Sequence, residues 1–444
     1  MRRLRLGLLV FALLTCAARA EDVLTSSNMR EDLRYLQEVW SQTDKSMSDD
    51  RRPQFEKLVA EISAKADQLT PSAFALEVSR AVAIAGNGHS DVQIEPYMHG
   101  IPIGFAWFSE GLFVVRTEPR FSDLLGARVE KFGALTTEEA LGRVSYYISG
   151  TRAWTHSQSA TYLRFLEVLH HIGAGSDTRS ATLRLRMADG QLRRVKLGRE
   201  LEPDPSPLPA WMGVVPAPAD LPGRWTHVLD RTTNLPSIYR GATTGEREWL
   251  ANDRVFYFRS NYIFGSEANR YELFARLMGL LQAEVSPRHP KYAIVDLRLN
   301  HGGDFLNTVS FAYALPRLIP NDGKIFVLVG PNTFSAALVT AAILKGQGGQ
   351  RVVLVGETMG DDPASWAEGS RLTLPHSKLA VGTATKKHDW GERCTDVSIC
   401  YWASTAFGSD NVSLVPEIQV ETRFDEYARG RDPVLEAVIG QLHW

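Results

Sequence analysis

The chain has 444 residues, 44% of them hydrophobic, and its 49 lysines and arginines nearly balance 51 aspartates and glutamates, for a net charge of -2. That length and composition fit a globular protein large enough for two or three domains with their own cores. The near-neutral balance, with no basic stripe interleaved with aromatics, excludes the usual electrostatic footprint of a nucleic-acid-binding protein.

Residues 1–20 do not belong to the fold. Arg2, Arg3 and Arg5 precede the apolar run Leu6 to Leu14, and Ala18-Arg19-Ala20 supplies a small-x-small cleavage site. This pattern predicts a secretory signal peptide cut before Glu21, and hence an exported protein, periplasmic or secreted. The alternative is a lipoprotein acylated at Cys16, for which Thr15 is a poor preceding residue. No later stretch is long and apolar enough to span a bilayer. Removing the signal leaves Cys394 and Cys400, an even number that predicts a disulfide closing a small loop. Zinc is the weaker alternative, since two cysteines without nearby histidines make an incomplete site.

Residues 21–99 read as a helical region. Leu33, Leu36, Val39 and Trp40 recur at helical spacing, as do Phe55, Leu58, Val59 and Ile62, and a further helix starts after Thr70-Pro71 and runs to about Ile84. It ends in Gly86-Asn87-Gly88, followed by His89-Ser90-Asp91 and an alternating strand over Val92–Glu95. His89 therefore falls on a helix-to-strand turn beside two glycines that let the backbone bend sharply. A lone loop histidine is more often structural than catalytic.

Residues 100–200 predict a strand at Leu112–Val115, a short helix at Thr137–Val144, a helical stretch at Ser157–His171, and a hairpin of Ala181–Arg186 with Leu192–Leu197 turned at Asp189-Gly190. Strand, Leu124-Leu-Gly-Ala-Arg-Val129, helix and hairpin in that order resemble a PDZ-like module, with Ser157–His171 as an insertion; a plain α+β connecting domain fits nearly as well. PDZ modules add an extended peptide to a sheet edge. Residues 201–230 are rich in proline and predict a linker.

Residues 231–444 turn to an α/β pattern: strands at Arg254–Phe258, Tyr292–Leu297, Lys324–Gly330 and Arg351–Val355, with helices at Glu267–Glu284 and Ala336–Lys345. Strands alternating with helices imply a largely parallel sheet covered on both faces, with its site at the carboxyl ends of the strands. The loops at those ends are Arg298–Gly303, Pro331–Ser335 and Gly356–Gly360. Ser335 lies between a buried strand and a helix, where it can cap the helix or present its hydroxyl as a nucleophile at the positive end of the dipole.

Three loops of this kind, in this order, resemble the S41 peptidases, the family of the tail-specific proteases, the tricorn core and the interphotoreceptor retinoid-binding protein repeats. Asp296-Leu-Arg-Leu-Asn-His-Gly-Gly303 matches the D-x-R-x-N-x-G-G segment, Thr333-Phe-Ser-Ala336 the nucleophile turn, and Gly356-Glu-Thr-Met-Gly360 the G-E-x-T-G segment with a small shift. Leu374–Leu379, Val415–Ile418 and Gly430–Leu435 are similar to its C-terminal signatures, and Ala85–Ser90 resembles the D-G-H-T turn of its histidine-bearing members, with Asn87 for Asp and Ser90 for Thr. The resemblance covers residues from about 30 to 440.

The resemblance implies an α/β, crotonase-like (ClpP/crotonase-type) catalytic domain over 231–444, accompanied by the N-terminal helical region and the PDZ-like α+β domain. It implies Ser335 as nucleophile, and an oxyanion hole from the amide of Ala336 with that of Gly302 or Gly303. The family's lysine is missing: position 360 is Gly, and no lysine lies between Lys345 and Lys378. The resemblance to tricorn-like members then implies His89 as the general base, and an imidazole suits that work near neutral pH. His301 is the runner-up, though on its loop it lines a substrate pocket more naturally, together with Asn300. Glu357 is the first candidate for the acid that orients His89, with Asp91 and Glu392 behind it. The expected activity is hydrolysis of a peptide or unfolded protein segment through an acyl-enzyme, with no metal or organic cofactor. The alternatives are a non-catalytic peptide- or lipid-binding protein on the same fold, and a protease using Lys345 or Lys378.

Overall fold

A computed structural model describes residues 24–201, 204–206, 209–241, 246–264 and 269–442. The predicted signal peptide with Cys16, part of the proline-rich segment, and Glu267 at the predicted start of a helix lie outside the described residues.

The chain opens with helices at Ser26–Tyr35, Arg52–Lys65 and Pro71–Ala83, the first continued by a π-turn over Leu36–Trp40. Thr70 caps the third by accepting from the Ala73 amide at 3.2 Å, and Pro71 occupies the first turn, where its missing N–H costs nothing. The apolar faces bury Leu33, Trp40, Phe55, Ile62, Phe74 and Val82 in a core shared with Ile103, Val114, Val129 and Leu183 of the next segment. Leu374, Leu379 and Val381, from far down the chain, enter the same core. The Trp40 indole N–H donates to the Gly382 carbonyl at 2.7 Å, tying the two segments together. One core therefore crosses both residue 100 and residue 231.

An antiparallel sheet follows, with strands Ile103–Phe108, Gly111–Thr117, Arg128–Phe132, Ser180–Arg186 and Leu192–Gly198 paired in that order. It contains the expected strand at Leu112 and the expected hairpin, and the helix Thr137–Val144 is where the sequence puts it. The strand expected over Val92–Glu95 does not form. Val92 makes a single bridge to Val381, and Glu95–Tyr97 curls into a 3-10 turn because Pro96 has no N–H to give a ladder. The stretch predicted as one helix is two, Arg152–Tyr162 and Leu166–His171.

The C-terminal half holds a six-stranded sheet in the order Ile418–Gln419, Val352–Gly356, Lys324–Val329, Tyr292–Asp296, Val255–Arg259, Glu246–Leu250. All neighbours are parallel except the last pair. Strands Tyr292–Asp296 and Val255–Arg259 are buried throughout, and the helix Ala336–Gly348 is buried from Ala336 to Leu344. Cys394 and Cys400 form the expected disulfide, with Cα atoms 5.7 Å apart. Among the described residues no helix is long and apolar enough to cross a membrane.

A buried ionic clamp fixes the carboxyl edge of this sheet. Arg298 donates to Asp296 at 2.6 Å and to both oxygens of Asp432 at 2.7 Å, while the Tyr257 hydroxyl donates to Asp296 at 2.8 Å. Asp432 also caps the helix Pro433–Gly440, accepting from the Leu435 amide at 3.0 Å. Burial works against every charge here, yet the two carboxylates hold the guanidinium well above its usual pKa, and Arg298 holds Asp296 below the usual carboxylate value of 3.8. Arg298→Met leaves two buried carboxylates facing each other and is expected to cost about 3–5 kcal/mol, read by urea unfolding. The stability contributed by Asp296 is present above pH 3.8 and is lost as pH falls through its depressed value; acid unfolding of the wild type compared with Asp296→Asn measures it.

Candidate active site

The strand Lys324–Val329 ends in a turn that carries Ser335 to the start of a helix. Thr333 pins this turn, accepting from the Gly330 amide at 3.0 Å and donating to the Leu297 carbonyl at 2.9 Å. The Phe334 amide donates to the Asn300 carbonyl at 3.0 Å. Ser335 itself sits at φ 54°, ψ -125°, a conformation that costs a non-glycine residue about 1–3 kcal/mol and persists only where neighbours enforce it. Its backbone N–H donates to Asp361 Oδ2 at 3.1 Å, and its side chain makes no capping hydrogen bond to the helix. The helix-cap alternative is thereby set aside: the hydroxyl is not engaged by the helix.

Gly302 and Gly303 close on Ser335 from the neighbouring loop with φ of +93° and +138°. A Cβ on Gly302 would stand 2.7 Å from the Ser335 Cβ and 2.8 Å from the Ala336 nitrogen; one on Gly303 would stand 2.3 Å from the Ile263 carbonyl oxygen. Only glycine fits either place. The Gly302 amide is already used, donating to Asn300 Oδ1 at 2.8 Å, whereas Gly303 and Ala336 line a small cavity together with Ser335.

The two residues expected to line a substrate pocket brace loops instead. Asn300 is fully buried, and its Nδ2 donates to the Ser260 carbonyl at 2.8 Å while its Oδ1 holds Gly302. His301 Nε2 lies 3.0 Å from Asn332 Oδ1, and its ring packs on Trp154 at 4.8 Å between centroids. Burial pushes its pKa down to about 3, so it is a neutral donor that holds the Asn332 turn.

His89 arrives from the opposite half of the molecule. Gly86, at φ +64°, lets the chain reverse after its helix, and the Ser90 amide donates to the Asn87 carbonyl at 2.9 Å. Below the turn, Asn87 Nδ2 donates to the Ser90 hydroxyl at 3.1 Å, which donates to Asp44 Oδ2 at 2.6 Å. Asp44 thus anchors the turn through Ser90. Gly88 sits flat on Phe334, where an added Cβ would stand 2.6 Å from the ring. The His89 ring lies 4.6 Å from that of Phe334 and lines the same cavity as Ser335. Its Nδ1 stands 4.0 Å from Asp361 Oδ2, and neither ring nitrogen makes a hydrogen bond. Burial lowers its pKa below 6.5, opposed by Asp361; burial raises that of Asp361, opposed by His89. The imidazole is accordingly neutral at pH 7.

Asp361, which the sequence reading passed over, is the carboxylate beside His89. Glu357 lies elsewhere: it lines a wider cleft with Glu421, and burial, then Glu421, push its pKa up to about 7. Asp91 pairs with Arg371 at 2.9 Å, and Glu392 is exposed. The signal for Asp361 was adjacency alone, since it directly follows the Gly356–Gly360 segment. Lys345 is ion-paired with Glu417, and Lys378 is tied to the Pro375 carbonyl at 2.6 Å, so both point to other partners.

The cavity holding Ser335, His89, Asp361, Gly303 and Ala336 has a volume of about 20 Å³, and Glu368, His388 and Trp390 are among the residues of its walls. The wider cleft, about 370 Å³, runs past the Gly330–Asn332 turn between Trp107, His156 and Glu357. Among the described residues no group of three or more His, Cys, Asp or Glu is placed to hold a metal ion.

No family model matches the sequence, and no curated protein does. Solved structures do match. The chain shares the fold of mature CPAF complexed with lactacystin, at 14% identity and a TM-score of 0.58, over 93% of this chain and 97% of that one. A CPAF serine-to-alanine mutant matches at 12% identity and a TM-score of 0.58, over 94% and 99%.

The Asp361 charge opposes the effect of burial on His89. Asp361→Asn is therefore expected to lower the His89 titration midpoint further below 6.5, followed by NMR of the ring protons; an unmoved midpoint would show that Asp361 exerts no such influence.

Proposed function

We propose that the chain is an exported serine peptidase of the S41 type, hydrolysing peptide bonds through an acyl-enzyme on Ser335. The reading rests above all on one observation: a serine held in a strained backbone conformation, its hydroxyl not engaged by its own helix, shares a narrow cavity with a neutral histidine and with Gly303 and Ala336. In this mechanism His89 takes the Ser335 proton as the hydroxyl attacks the substrate carbonyl. The amides of Gly303 and Ala336 receive the oxyanion; Gly302 does not, because its N–H is held by Asn300. His89 then gives its proton to the leaving amine, and water releases the acid product. Asp361 stabilises the imidazolium by charge from 4.0 Å. In this reading the parallel sheet is a crotonase-like catalytic domain, the antiparallel sheet a PDZ-like one, and the 370 Å³ cleft between them the approach for an extended chain. The cavity widens when substrate enters, since 20 Å³ admits no peptide group with its flanking atoms.

One observation favours the second reading, a non-catalytic peptide- or lipid-binding protein: His89 makes no hydrogen bond to Ser335.

A fluorophosphonate probe separates the two. The wild type is expected to label at Ser335, with labelling and peptide hydrolysis lost in Ser335→Ala and His89→Ala, kcat/KM falling by about 10⁴ or more. A folded wild type that does not label sinks the peptidase reading. The base must be neutral, so activity is lost as pH falls through the folded pKa of His89. The acid limb of kcat/KM is expected below pH 6.5.

A further inference from the structure

A second histidine faces the same cavity and has no part in the mechanism above. His388 is 5% exposed and stacks on Tyr401, with centroids 4.6 Å apart and planes 17° from parallel. Its backbone is held on both sides: its N–H donates to the Ser365 carbonyl at 2.7 Å, and Lys387 beside it exchanges hydrogen bonds with Ile399 and Tyr401 at 2.9 and 2.7 Å, flanking the end of the disulfide loop. The ring is therefore fixed in place and orientation.

Its tautomer is fixed as well. The Trp390 indole N–H lies 3.2 Å from His388 Nδ1, and an indole nitrogen can only donate. Nδ1 is the acceptor, so the proton of the neutral ring sits on Nε2. That N–H has no hydrogen-bond partner; the nearest carboxylate oxygen, Glu368 Oε1, stands 3.5 Å away, too far for a good bond. A buried donor left unpaired costs about 1–3 kcal/mol, and here it is kept on the wall of the cavity that also holds Ser335 and His89.

We propose that His388 is a further active-site residue, whose Nε2–H, with the Glu368 carboxylate, holds the water that hydrolyses the acyl-enzyme. The proposal rests on the serine-peptidase reading and extends it. A donor and an acceptor side by side suit water, which does both; they do not suit an oxyanion, which Glu368 would repel. The cavity's scale agrees, since about 20 Å³ accommodates one water and no side chain. The ring nitrogens, buried in the narrow cavity, become available as the acylated substrate widens it. In the step itself, the water oxygen bonds to the acyl carbon, its proton passes to His89 Nε2, the bond from that carbon to Ser335 Oγ breaks, and His89 returns the proton to Oγ. The products are free serine and a carboxylic acid.

The test uses His388→Phe, which keeps the stack on Tyr401 and removes the donor, and His388→Gln, which returns an N–H near the ε position. Glu368→Gln serves as an independent variant should the first not fold. Acylation is read by the rate of fluorophosphonate labelling, and deacylation by the decay of the acyl-enzyme formed from a p-nitrophenyl ester, followed by intact mass. His388→Phe is expected to label at the wild-type rate but to deacylate about 10²-fold more slowly, with much of the loss recovered in His388→Gln. Glu368→Gln is expected to slow deacylation in the same way. Unchanged deacylation, or labelling and deacylation falling together, overturns the role of His388 and leaves the peptidase reading standing. A folded wild type that neither labels nor acylates overturns both.

Discussion

Ser335 keeps its left-handed backbone because three loops at the carboxyl edge of one sheet close on it together. Its own turn is pinned by Thr333 to the neighbouring strand end, and its amide is held by Asp361 from the third loop. Gly302 presses so close that no other residue fits the space. A strain of about 1–3 kcal/mol is small against the packing that surrounds it, yet it decides where the side chain points. Relaxed into an ordinary cap, the serine would spend its hydroxyl on the helix amides. The strained backbone keeps the hydroxyl off the helix, at the mouth of the helix where negative charge is stabilised.

That geometry depends in turn on the clamp below it. Arg298 joins the strand carrying Asp296 to the helix capped by Asp432, so the loop leading to Gly302 leaves the sheet in one direction only. Asn300 then carries the constraint upward, bonding Ser260 on one side, and Gly302 and Phe334 on the other. The segment that resembles a family signature thus contains more scaffold than chemistry: Asp296 and Asn300 are fully buried, Arg298 is ion-paired between Asp296 and Asp432, and only the final glycine lines the Ser335 cavity.

This explains what was legible in the sequence. Buried parallel strands are continuous apolar runs, so the four central strands, the order of their loops and the turn of Ser335 could be read directly; the edge strands Glu246–Leu250 and Ile418–Gln419, which are only partly buried, could not. The disulfide followed from counting cysteines. Side-chain placement across distant segments could not be read, because no local pattern encodes it. Asn300 and His301 stand on the expected loop, yet where a polar side chain points depends on its neighbours: Asn300 is buried against backbone groups, and His301 bonds the Asn332 side chain. Glu357 and Asp361 are four residues apart beyond the same strand; the turn between them sends one to the outer cleft and the other beneath Ser335. The strand expected after His89 failed at Pro96, a signal present in the sequence and outweighed there by alternation.

The His89 turn shows how a distant residue can be positioned as firmly as a local one. It leaves its helix through Gly86, rests on the Asn87–Ser90–Asp44 chain of hydrogen bonds, and is covered by Gly382, whose amide donates to the Asp91 carbonyl at 2.8 Å. Gly382 also accepts from Trp40, so the C-terminal half reaches into the helical core at the point where that core presents the histidine. The two halves are joined at the site itself, by Phe334 lying between His89 and Trp154. A movement that widened the cavity by separating the halves would break this stack.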